Sequence, residues 1–171
     1  MLTVEELERG WGAMTEERVR AVVLITIRLG EGRHRTPDRV TLSPERGAHG
    51  DRWALGRRKD PDAQVTLMDA RVARLLASGG APLHAAGDNF LVDLDLSIGA
   101  LPVGTALRLG SAVLEVSAKP HTGCKKFLER FGPGALAWVN ASTKRALRLR
   151  GINCRVRSGG EVAVGDTVAI A

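Results

Sequence analysis

Short runs of apolar and β-branched residues, most of them bounded by glycine, recur from Ala21 onward and restrict this chain to a mainly β fold. Ala21–Ile27 is β-branched and reads as a buried strand, and Asp38–Leu42 alternates as a half-exposed one. Between them Gly30–Pro37 reads as a basic turn. Gln64–Leu67, Gly87–Leu94, Thr105–Leu109, Ala112–Ser117, Arg150–Val156, Glu161–Val164 and Thr167–Ile170 supply further strands. Gly110-Ser111 has the chemistry of a hairpin turn, and Gly159-Gly160 turns the chain again. Helical signals are few. Thr3 with Glu6 forms a capping-box pattern at the head of a polar helix that Gly10 and Gly12 cut short. Asp69–Ala77 has helical spacing and ends at Gly79-Gly80, Phe127–Phe131 is a helical turn, and Pro133–Asn140 is a short helix with proline near its start. The expected architecture is a β-barrel decorated by short helices, with residues 1–20 as a helical extension and 21–171 as the barrel domain.

The 171 residues suit one core. No apolar run approaches the roughly 20 residues of a membrane span, and five glutamates before Arg20 are unlike a signal peptide. Two cysteines, Cys124 and Cys154, make no disulfide framework, so a cytoplasmic location is expected. The net charge of +6 admits nucleic acid or a small anion as partner. Three Trp, three Phe and no Tyr leave few stacking platforms, which argues against nucleic acid.

Chemistry concentrates in Lys119-Pro120-His121-Thr122-Gly123-Cys124-Lys125-Lys126-Phe127. In the preceding strand Leu114 and Val116 face one way and Val113 and Glu115 the other, and Pro120 and Gly123 then break it. Cys124 therefore lies just beyond a strand end among lysines, which favour a thiolate that binds metals or attacks sulfur. The alternative is an inert buried thiol. Cys154 shares the inward phase of its strand with Ile152 and Val156 and reads as structural. His121 and Cys124 have the spacing of half a zinc site, but His34, His49 and His84 are scattered and no Cys-x-x-Cys exists. His121 is instead a candidate to favour the thiolate or to donate a proton.

Several stretches, in order, resemble the MOSC family, named for the C-terminal domain of molybdenum cofactor sulfurases. They are Gly50-Asp51-Arg52-Trp53, Gln64–Leu67, Gly87-Asp88-Asn89-Phe90, the strand leading to Cys124, Arg150-Gly151-Ile152 and Val164-Gly165-Asp166. The resemblance runs from about Ala21 to Ala171. Two departures are Trp53, where histidine is common, and Gly123, where proline often precedes the cysteine. The resemblance implies a MOSC-type β-barrel that handles the molybdenum cofactor (molybdopterin) or its sulfur, with Cys124 as the reactive residue and molybdenum ligand. A cofactor ending in phosphate needs cations and backbone donors. Gly50, Asp51, Arg52, Asn89, Lys119, Lys125 and Arg150 are the expected cofactor-binding residues, with Asp51 and Asn89 also readable as turn caps. Arg57, Arg58 and Lys59 read as a solvated loop. The expected activity is reduction of an N- or S-oxygenated small-molecule substrate with electrons from a separate protein. The alternatives are a persulfide carrier served by a pyridoxal-phosphate cysteine desulfurase, and a non-catalytic basic barrel that binds nucleic acid.

Overall fold

A computed structural model describes residues 1–57 and 59–171, so Arg58 of the expected solvated loop lies outside the described residues. Seven strands form the main sheet. In sheet order they are β1 (Val22–Ile25), β7 (Phe90–Val92), β6 (Val65–Asp69), β10 (Ile152–Ser158), β9 (Ala112–Val116), β8 (Ala106–Leu109) and β12 (Val168–Ile170). Every pairing is antiparallel except β6 with β7, which α2 (Ala70–Ala77) connects as a crossover. The two edges meet: Ala21 bridges Thr167, Val22 N–H donates to Asp166 O at 2.9 Å, and Val168 N–H donates to Arg20 O at 2.8 Å. The sheet is thus nearly a closed barrel, which leaves little unpaired edge. A second sheet of β11 (Gly160–Ala163), β4 (Arg39–Ser43) and β5 (Gly47–Ala48) and a hairpin of β2 (Ile27–Gly30) with β3 (Arg33–Arg35) complete the β structure.

Two apolar clusters explain the burial. One fills the barrel with Ile25, Val65, Leu67, Phe90, Leu107, Leu114 and Cys154. The other lies between the barrel's outer face and the helices and contains Leu7, Met68, Leu91, Phe127, Phe131 and Trp138. Strands β6 and β7 touch both clusters, which is why all their residues are buried and the expected alternation of Gly87–Leu94 does not appear in exposure. Strand β9 keeps the alternation that the sequence predicts, with Ala112, Leu114 and Val116 buried.

The run Ala21–Ile27, expected as one strand, divides at Thr26. Thr26 N–H donates to Asn89 O at 2.8 Å, and Thr26 O accepts from Asn89 Nδ2 at 3.2 Å. Asn89 therefore grips the chain where it leaves the barrel and turns it into the β2–β3 hairpin. The expected basic turn at Gly30–Pro37 is in fact that hairpin, its bend made by Gly30, Glu31 and Gly32 at positive φ.

The capping box forms as expected, with Glu6 N–H donating to Thr3 Oγ1 and Thr3 N–H to Glu6 Oε2. Helix α1 (Val4–Gly12) stops at Gly12 and packs Trp11 edge-on against Trp138 of α3 (Lys125–Asn140), ring centres 6.0 Å apart. Arg18 ties the following segment down through two bonds to Asp69, at 2.8 and 2.9 Å. Helix α3 breaks at Gly132 (φ 85°), immediately before Pro133, so its halves correspond to the expected helical turn and short helix.

Candidate functional site

The loop that carries Cys124 leaves β9 and is held by two asparagines. Asn153 Nδ2 donates to Lys119 O and Pro120 O, at 3.1 and 3.2 Å. Asn140 accepts from Gly123 N–H at 2.8 Å and donates back to Gly123 O at 3.2 Å. Gly123 packs so closely on Leu136, Val139 and Asn140 that a Cβ would collide with the Leu136 side chain. Small size, rather than an unusual φ, is what this position needs. The loop thus presents Cys124 as the first residue before α3, exposed to solvent.

Burial on one side raises the Cys124 thiol pKa, but the Phe127 and Lys126 amides and the charges of Arg150 and Arg130 outweigh it, so the net shift is downward. Cys154 differs on every count. It is fully buried in β10, and burial pushes its pKa up to about 12. We therefore expect brief alkylation at neutral pH, followed by mass mapping, to label Cys124 well before Cys154. Preferential labelling of Cys154 would contradict the assignment.

Cys124 opens onto a cleft of about 140 Å³. Arg28, Arg33, Arg52, Lys126, Arg130 and Arg150 line it, and no carboxylate does. Arg150 is the buried one of these. Its side chain is 7% exposed, donates to Asp88 Oδ2 at 2.5 Å and to Ala86 O at 3.1 Å, and lies over the Phe127 ring at 5.1 Å. Its Nε is buried with no hydrogen-bond partner among the described residues.

Asp88 also receives His121 Nε2 at 2.8 Å. Burial alone would raise the Asp88 pKa, yet Arg150 and His121 bring it down to about 2. An ionised carboxylate only accepts, so the His121 proton must sit on Nε2, leaving Nδ1 as an acceptor. The His121 pKa is lowered, chiefly by burial. Asp88 opposes this, but Arg150 has already neutralised much of its charge.

A second polar knot stands behind the cleft. Asp51 accepts from Arg28 N, Nε and Nη2, at 2.9, 2.9 and 2.8 Å, from Trp53 N at 3.0 Å, and from Asn89 Nδ2 at 3.0 Å. Burial raises the Asp51 pKa, but the Arg28 bonds and charge win and hold it below the usual value. Asn89 Oδ1 accepts from Thr66 N–H at 3.1 Å.

The structure therefore brings together Cys124, His121, Arg52 and Arg150 and places the other expected residues elsewhere. Asp51 and Asn89 are buried with their polar atoms engaged by protein groups, and neither lines the cleft. Gly50, at φ 85°, is the bend that delivers Asp51. Lys119 pairs with Asp60 and borders a different, larger cavity, and Lys125 does not line the cleft whereas Lys126 does. One residue of helical phase, 100°, separates those two lysines. Arg28, His34 and Arg130 are cleft residues that the sequence reading misses. Arg130 lies in the first half of α3, the helix that Cys124 precedes, but no local pattern marks Arg28 or His34.

The sequence profile of the family described as "MOSC domain" matches residues 57–169. Solved structures show the same fold. A crystal structure titled as that of a hypothetical protein is 21% identical, with TM-score 0.61 over 88% of this chain and 68% of its own. The YuaD protein from Bacillus subtilis is 17% identical, with TM-score 0.59 over 86% of this chain and 93% of its own. YiiM from Escherichia coli is 20% identical, with TM-score 0.60 over 88% and 69%. No curated protein matches the sequence.

Proposed function

This chain belongs to the MOSC domain family, and from that premise we propose that it binds the molybdenum cofactor at the Cys124 cleft and reduces N- or S-oxygenated small molecules there. The observation that carries the reading is the exposed, acidified Cys124 thiol opening onto a cleft lined, among the described residues, by six cations and no carboxylate. The residues fit the group. A thiolate is a soft donor suited to molybdenum, and Arg52, Lys126 and Arg130 are suited to a terminal phosphate. The buried, unpartnered Nε of Arg150 is a further donor in search of an acceptor.

When bound, the cofactor supplies a two-electron redox centre. The chain's own residues contribute the rest. Cys124 provides the protein sulfur, and the Asp88–Arg150 pair fixes a positive wall. His121, neutral near pH 7, holds its Nε2 proton on Asp88 and keeps Nδ1 able to take up and return a proton. Reduction of an N-hydroxylated amine to the amine and water consumes two electrons and two protons, and a separate protein of the cytoplasm is the proposed electron donor. Among the described residues no helix is long and apolar enough to cross a membrane.

Protein made in a host that synthesises the cofactor is expected to carry molybdenum near one atom per chain and to release a fluorescent oxidised pterin. Absence of both in such protein would overturn the reading. The thiol's exposure also suits a second reading, in which Cys124 attacks a donor persulfide, takes its sulfane sulfur and releases the donor thiolate. A pyridoxal-phosphate cysteine desulfurase would be that donor, and a trapped persulfide on Cys124 would favour this reading.

A further inference from the structure

A cavity of about 740 Å³ adjoins the cysteine cleft. His121, Thr122 and Arg150 line both, so the two volumes adjoin at these residues. Its size lies within the range of small-molecule pockets. Ile98, Val103, Val139 and Ile152 give it an apolar surface, with Ile98 and Val103 remaining 45% and 56% exposed.

Its charges are one-sided. Lys119, Lys144, Arg145, Arg148 and Arg150 line it, and no carboxylate does. Three of these are matched from outside the cavity: Lys119 by Asp60, Lys144 by Glu8 and Arg150 by Asp88. Among the described residues Arg145 and Arg148 have no carboxylate within ion-pair distance. Arg148 is half-buried, and its Nη1 donates only to Leu101 O at 2.6 Å and Leu96 O at 3.3 Å. Its backbone is left-handed (φ 48°, ψ 47°), a conformation that costs a non-glycine residue energy and that the surrounding contacts must hold. Ile98 N–H bonds Ala146 O at 2.8 Å, which locks the segment Ser142–Leu147 that carries Arg145 against the opposite wall.

We propose that this chamber is the substrate pocket and that it takes an organic acid, with an apolar body against Ile98, Val103 and Val139 and its acid group at Arg145 and Arg148. The catalytic half of this assignment rests on the reduction proposed for the Cys124 cleft. The acid-binding half stands on the chamber alone. The end of the ligand away from its acid group lies toward His121, Thr122 and Arg150, where the chamber adjoins the Cys124 cleft.

The test uses 2-naphthoate and its neutral amide as probes, titrated by calorimetry into protein from a cofactor-deficient host and into cofactor-loaded protein. Naphthoate should bind both forms, and the amide about tenfold more weakly, the worth of one charge-assisted hydrogen bond. Arg145→Ala should weaken naphthoate about tenfold and Val103→Trp should abolish binding by filling the chamber. Arg108→Ala, on exposed β8 surface outside the lining, should change nothing. Equal binding of acid and amide, or indifference to Arg145→Ala, would overturn the acid site. Binding to the cofactor-free form only would assign the chamber to the cofactor itself and overturn the substrate role. Loss of the metal reading with acid-selective binding retained would sink the catalytic half and leave the acid site.

Discussion

Replacing Cys124 with serine is expected to bring reduction of N-hydroxylated compounds to background while the protein stays folded. The side chain is exposed, so the change opens no cavity, and unfolding free energy should move by no more than about 0.5 kcal/mol. The cleft's cations would remain, so some cofactor could still be retained. A hydroxyl is a hard, weakly acidic donor that does not replace a thiolate on a soft metal. In the sulfur-carrier reading the same variant loses persulfide formation and leaves the metal content of the protein unchanged. In the nucleic-acid reading it behaves as the parent, because a neutral hydroxyl in place of a thiol alters phosphate affinity little. Turnover near the parental rate in Cys124→Ser would remove this residue from the chemistry.

Asp88→Asn should cause the largest loss of stability. The carboxylate is fully buried and neutralises Arg150, itself 7% exposed, while holding His121. An amide leaves the guanidinium charged and uncompensated, which costs about 3–5 kcal/mol when one partner of a buried pair is removed. The pH dependence follows from the same groups. Asp88 falls from 3.8 to about 2 on folding, so its contribution is complete above pH 3.8 and is lost as pH falls toward about 2. The His121 pKa is lowered from 6.5 on folding, so below pH 6.5 the unfolded chain binds that proton more readily and stability falls with acidification there too. Urea unfolding across pH should show both declines in the parent. Asp88→Asn should lack the lower one. A variant within about 1 kcal/mol of the parent would show that the pair is not the pivot of the site.

Local signals foretold local structure. The capping box at Thr3, the alternation of β9, the inward phase of Cys154 and the break before Pro133 all depend on neighbours a few residues apart, and all can be read along the chain. The division at Thr26 could not be read in this way, because it is made by Asn89, 63 residues away, bonding the backbone on both sides of the break. The site divides similarly. Cys124 and its loop are a contiguous motif, but the Asp88–Arg150 pair spans 62 residues and the Arg28–Asp51 pair 23, with a strand crossing between the members of each. Asp51 and Asn89 could be recognised as important residues but not as buried struts, since turn-capping and ligand-facing roles use the same side-chain atoms. Lys125 and Lys126 were indistinguishable until the phase of α3 was known.

We propose that the Cys124 sulfur and the cation-lined cleft together hold molybdenum. The most direct test is the paramagnetic resonance signal of molybdenum(V), compared between the parent and Cys124→Ser, each purified from a cofactor-synthesising host with its metal content measured. A clear signal is expected in the parent and an altered or lost signal in the variant, because the soft protein–sulfur bond is gone while Arg52, Lys126 and Arg130 remain in the cleft. Identical signals from equal amounts of molybdenum, with turnover intact, would contradict it and make Cys124 a bystander at the mouth of the cleft.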